Sequence, residues 1–129
     1  MNGMEALISN MMRMNTMGRL WHWMTDTAQH HTTFEQFLTQ NETFTDSLVE
    51  STLGNDIALD FALVGVKEAI QPAYSLTHAL DEIKAYRSQV IEARQSLESS
   101  NQMGSDELGT ILDDVIELCS KTLYLLKLK

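Results

Sequence analysis

The sequence predicts an all-α fold, a four-helix bundle with one long crossover between its second and third helices. Three observations carry that expectation. Apolar residues recur at the helical spacing of three and four along four separate stretches. One proline and six glycines leave those stretches almost uninterrupted, which favours helices. The links between stretches are short, long and short in that order; short links make antiparallel neighbours, and a long link can run the length of a bundle.

The bulk numbers bound the class. A chain of 129 residues with 43% hydrophobic content is expected to form a single helical domain over 1–129 with enough apolar side chains for a core. Its net charge is −9 and its nine basic residues are scattered, which argues against a general nucleic-acid surface. Cys119 is the one cysteine, so an internal disulfide is excluded and a reducing compartment is expected. The first residues lack a cationic start and an apolar run, so no signal peptide is expected. No stretch approaches the roughly 20 apolar residues of a membrane span. A cytoplasmic protein without a membrane partner is the expectation.

The first helix is predicted from Met4 to about Trp23, with Met4, Leu7, Ile8, Met11, Met14, Leu20 and Trp21 at helical spacing. Its methionine-rich face is read as adaptable core filling, with an adaptable partner surface as the other use. Thr25, Asp26 and Thr27 break the pattern. Asp26 with Gln29 resembles a capping box, and a second helix is predicted from about Thr27 to Leu53, ended by Gly54 and Asn55. Residues 54–72 form the connection, with a short helix expected within Ile57–Ile70. Pro72 suits the first turn of a third helix, whose stripe is Leu76, Leu80, Ile83, Val90 and Leu97. The run SSNQMG is a loop. Ser105 or Asp106 is expected to cap a fourth helix, whose stripe runs from Leu108 to Leu125. One long crossover between helices two and three is the ferritin-like arrangement.

The second helix carries the candidate chemistry. Setting Phe34 at zero on a wheel of about 100° per residue, Phe37, Leu38, Phe44, Leu48 and Val49 lie within about 80° of it and form the core face. His31, Glu35, Asp46 and Glu50 fall at about 60°, 100°, 120° and 160°, one stripe on the flank of that face. Residues four apart present ligand atoms from adjacent turns, and imidazole with carboxylate suits iron, manganese or zinc. Glu35 and Asp46 are separated by about 16 Å along a straight helix, so the two pairs cannot hold one ion within one chain. Two helices packed antiparallel about a two-fold axis would bring His31 and Glu35 of one copy to Asp46 and Glu50 of the other, giving an isologous interface with intersubunit sites. The competing reading is a solvated charge stripe.

His22, at the end of the first helix, is a further ligand candidate. His30 points about 100° away from His31, as a supporting or surface group. His78 is read as a satisfied or exposed histidine. Trp21 and Trp23 are expected to anchor core and interface, and one beside an iron site could take up oxidising equivalents. Asp113, Asp114, Glu117, Glu82 and Glu92 are read as solvated surface. Glu-x-x-His, a phosphate loop, a dinucleotide fingerprint, HExxH and paired zinc cysteines are all absent from the sequence.

The WHW of residues 21–23, the HxxxE of His31 and Glu35, and the DxxxE of Asp46 and Glu50 followed by Gly54 together resemble the Dps-like branch of the ferritin-like superfamily, the DNA-protecting mini-ferritins. The closing LDDVIELCSKTLYLLKLK is similar to the last helix of small ferritin-like proteins in tailed-phage genomes. The resemblance implies iron, or another divalent metal, held by His31, Glu35, Asp46, Glu50 and His22 in a ferroxidase centre between two-fold-related subunits. It implies a homo-oligomer, at least a two-fold dimer, with a hollow twelve-subunit shell as the family's larger assembly, in the host cytoplasm or the virion if the chain is phage-encoded. Glu35 stands where the family has Asp, His22 is closer to His31 than the family's spacing, and the family's Lys-rich tail is lacking, so direct DNA binding is not expected. The alternative function is a non-catalytic phage or accessory protein that uses the bundle for self-assembly or for binding a partner protein.

Overall fold

A computed structural model describes residues 3–66, 74–100, 102 and 104–128. It contains four α-helices: α1 (Met4–Met24), α2 (Ala28–Gly54), α3 (Leu76–Ser99) and α4 (Ser105–Lys127). The chain is the four-helix bundle that the periodicity predicts, and the long connection lies between α2 and α3. α1 packs along α2, α3 along α4 and α2 against α4, while α1 meets α3 more sparsely. Among the described residues there is no strand, and no helix is long and apolar enough to cross a membrane.

Each helix forms because one face can be buried. α1 turns Leu7, Ile8, Met11, Met14, Met17 and Trp21 inward, at steps of one, three and four residues that keep them on one side. Its methionines therefore fill the core, with Met12 and Met24 left exposed. α2 contributes Phe34, Phe37, Leu38 and Leu48, and α3 contributes Ala79, Ile83, Tyr86 and Val90. α4 is the most regular, with Leu108, Leu112, Val115, Cys119 and Leu126 buried. Burial pushes the Cys119 thiol up to about 12, so it acts as a small apolar side chain and not as a nucleophile.

The helix starts differ from the sequence expectations by one to a few residues. α2 is capped by Thr27, whose hydroxyl accepts from the His30 N–H at 3.2 Å; Asp26 is exposed one step too early to reach that donor. α3 opens at Leu76 behind Ser75, which accepts from the His78 N–H at 3.1 Å. Pro72 lies outside the described residues. α4 is preceded by Gly104 in the left-handed region, φ 81°, with no side-chain cap, a conformation that favours glycine; Ser105 is already helical. Among the described residues of the crossover the expected short helix is a 3-10 turn, Phe61–Leu63, held by Asp60, whose carboxylate accepts from the Ala62 N–H at 3.0 Å.

Two polar clamps tie the elements together. Arg13 of α1 reaches Glu82 of α3 at 2.8 Å, with both side chains largely shielded. Glu82 is thus an internal tie and not the solvated residue that the sequence suggests. At the other clamp, the Glu107 carboxylate accepts from the Ser51 hydroxyl and the Asn55 amide, each at 2.9 Å, fastening the start of α4 to the end of α2. These two bonds hold the Glu107 carboxyl below its usual range. Glu5 is likewise lowered, first by accepting from the Asp60 backbone N–H in the crossover. A depressed carboxyl contributes stability that is present above its unfolded value, about 4.3, and is lost as pH falls through the folded one. Urea midpoints are therefore expected to fall as pH is lowered from 6 toward 3, and Glu107→Gln is expected to flatten that fall while lowering the midpoint at pH 6. An unchanged slope in the variant would remove Glu107 from the acid response.

Candidate functional site

The turn between α1 and α2 brings together two histidines that are nine residues apart. His22 sits in the last turn of α1 and His31 in the first turns of α2. Their rings stack, with centroids 3.8 Å apart and planes inclined by 23°. The His22 Nδ1 lies 2.8 Å from the His31 carbonyl oxygen, and the His31 Nδ1 lies 2.7 Å from the His22 carbonyl oxygen. A carbonyl only accepts, so each Nδ1 carries the proton and donates. The His22 carbonyl is one of the last four of α1, which have no partner inside the helix; the His31 ring supplies one. In the neutral form the lone pair of each ring is then at Nε2, the atom left over for a ligand. Fixing one ring nitrogen by a carbonyl is how metal-binding histidines are oriented.

Glu35 lies one turn beyond His31, exposed on the same helix. Asp46 and Glu50 are also exposed, further along α2. Because α2 is continuous from Ala28 to Gly54, its straight course keeps Glu35 and Asp46 about 16 Å apart along the axis. Among the described residues no group of three or more His, Cys, Asp or Glu side chains converges within the chain. The stripe is thus divided in two, as its spacing requires: a histidine pair with Glu35 at one end and an acidic pair at the other.

The acidic pair has its own surroundings. Asp46 and Glu50, together with Glu42, border a groove of about 450 Å³ between α1, α2 and the crossover. The rest of its lining is mostly apolar, with Ile8 and Met12 from α1, Val49 from α2, and Phe61 and Val64 from the crossover beside Asn15 and Thr45. Glu42 is engaged by Arg19 at 3.2 Å, and Arg19 also lies 6.0 Å from the Trp23 ring. Trp23 is 65% exposed whereas Trp21 is 1% exposed, so the two tryptophans divide between surface and core.

Other sequence candidates fall elsewhere. His30 is half-buried and takes part in the cap of α2 through its backbone. His78 is half-buried, meets Trp21 edge-on at 6.4 Å, and its Nε2 is buried without a hydrogen-bond partner among the described residues. The sequence reading also missed a buried polar network. Asn41, on the core face of α2, donates to the Asn15 side chain at 2.7 Å and the Met11 carbonyl at 3.3 Å, and accepts from the Tyr86 hydroxyl at 2.6 Å. Burial pushes the Tyr86 phenol well above its ordinary value, so it stays a donor. The signal was available, since Asn41 stands seven residues from both Phe34 and Leu48, in the middle of the apolar face.

Fold and geometry define a class of protein: an acidic four-helix bundle with a crossover, a locked histidine pair at one end of α2 and an acid-bordered groove on its flank. No family model, curated protein or solved structure matches the chain.

Proposed function

We propose that this protein is a ferritin-like, Dps-like bundle that binds a divalent transition metal, iron foremost, at sites completed by a second copy. The observation that carries the reading is the reciprocal Nδ1-to-carbonyl lock of His22 and His31. It fixes two imidazoles on the surface with Nε2 available as a ligand, one turn from Glu35, and imidazole with carboxylate is a donor set for iron, manganese or zinc. His22, His31 and Glu35 would supply one half of a site, and Asp46 and Glu50 of a two-fold-related copy the other. The lock supports counting His22 in the proposed donor set despite its short spacing from His31. Iron(II) held there would be the substrate of a ferroxidase, open to a small oxidant at a free coordination position.

The test is anaerobic titration with Fe(II) or Co(II), read by metal content and solution mass. One site per chain is expected, with a two-fold dimer in the metal-loaded protein. His31→Ala and Glu50→Ala should each weaken uptake at least tenfold, and their equimolar mixture should regain up to half of the sites, because each mixed dimer retains one intact half from each chain. Absence of stoichiometric uptake, or a strict monomer with metal present, would sink the reading. A second reading, a non-catalytic bundle acting by contact with another protein, is favoured by the mostly apolar lining beside Asp46 and Glu50, which metal binding does not require.

A further inference from the structure

The groove on the α1–α2 flank has a chemical counterpart elsewhere on the same chain. Its border is acidic, and neither Asp46 nor Glu50 takes part in an ion pair among the described residues. Its apolar side leaves Met12 39% and Phe61 57% exposed. The end of α4 is the reverse. Residues 121–129 hold three of the nine basic residues of the chain and no acidic one. Lys121 and Lys127 are exposed there beside Tyr124 and Leu128, which are 63% and 42% exposed. Cationic stems with an aromatic ring and a leucine form an anchor of the kind that fills apolar pockets with acidic rims.

We propose that the end of α4 of one copy docks in the α1–α2 groove of a second copy, giving a head-to-tail contact. Lys121 and Lys127 meet Asp46 and Glu50, and Tyr124 and Leu128 cover the apolar lining. The contact cannot form within one chain. Gln29 donates to the Leu125 carbonyl at 3.4 Å, which sets the end of α4 beside the first turn of α2, and Asp46 lies about 25 Å further along that helix. A contact between two different patches leaves a free tip and a free groove after each step, so it closes into a ring or propagates into an open chain. Metal and lysine cannot occupy Asp46 and Glu50 together. The head-to-tail contact therefore belongs to the metal-free protein and does not rest on the metal-binding reading.

The experiment uses the full chain in chelator, followed by sedimentation over a range of concentrations. The mass should rise with concentration, and the dissociation constant should weaken at least tenfold between 50 and 500 mM salt, because exposed charges are screened over that range. Asp46→Lys with Glu50→Lys disables the groove, and Tyr124→Ala with Lys127→Ala disables the tip. Each double variant alone should stay monomeric, and the two mixed should form a one-to-one complex. Carbodiimide coupling of the wild type should join Lys127 or Lys121 of one copy to Asp46 or Glu50 of another, a readout that does not depend on how the variants fold. A monomeric wild type in chelator overturns the proposal. So does self-association that survives in either variant alone, which marks a two-fold interface, or association that appears only with added metal.

Discussion

Asn41→Ala is expected to lower the unfolding free energy by about 3 kcal/mol, read as a shift of the urea midpoint with an unchanged slope. The side chain is fully buried and bonds to three partners on two other helices, Asn15 and Met11 of α1 and Tyr86 of α3. Removing it leaves the Tyr86 hydroxyl buried without an acceptor, and stranding a buried polar group costs about 1–3 kcal/mol beyond the bond itself. The lost volume adds a cavity term. A cycle separates the two contributions. Tyr86→Phe alone is expected to cost about 1–2 kcal/mol, and Asn41→Ala with Tyr86→Phe less than the sum of these two single changes, since no Tyr86 hydroxyl is then left stranded. Strict additivity would show that Asn41 and Tyr86 do not act as a unit. The network also fixes register: three helices that could slide along apolar ridges are tied at one level by bonds that form in only one alignment.

That network shows where the sequence was legible and where it was not. The four helices and the long crossover follow from apolar spacing, because burying one face of each helix requires little more than the right residue type at the right step. A polar residue on that face breaks the pattern without saying how it will be satisfied. Asn41 needs α1 and α3 beside it. Thr33, Thr45 and Thr52, by contrast, are buried at no such cost, each donating to the carbonyl four residues back in its own helix. The helix starts were misplaced for a related reason. Asp26 and Thr27, or Ser105 and Gly104, are all capable of ending a turn, and the choice is made by the path of the chain between helices. At the candidate site, the split of His31 and Glu35 from Asp46 and Glu50 could be read from helical rise alone. The stacking of His22 on His31 could not, because it depends on the angle at which α1 and α2 meet.

Trp21→Ala is expected to cost about 4 kcal/mol, a large share of the roughly 5–15 kcal/mol available to a domain of this size. Trp21 is 1% exposed and organises the end of the bundle where α1 finishes and α3 begins. Its ring lies 5.6 Å from Phe34 and 6.4 Å from His78, and Phe34 in turn meets Tyr74 edge-on at 5.9 Å. Among the described residues its indole Nε1–H is nevertheless buried without a hydrogen-bond partner, and the Thr25 and Tyr74 hydroxyls and His78 Nε2 share that condition. An unsatisfied N–H opposes the gain from burying the ring, so the two can be told apart by substitution. Trp21→Phe retains most of the apolar contact and removes the stranded donor; its cost is expected to stay below about 1.5 kcal/mol. Unfolding should be followed by circular dichroism, because fluorescence would lose its buried reporter and keep only the exposed Trp23. If phenylalanine proves as costly as alanine, the indole N–H must be paired in the folded protein, and the stability of this end of the bundle would rest on a hydrogen bond to that N–H and not on the ring alone.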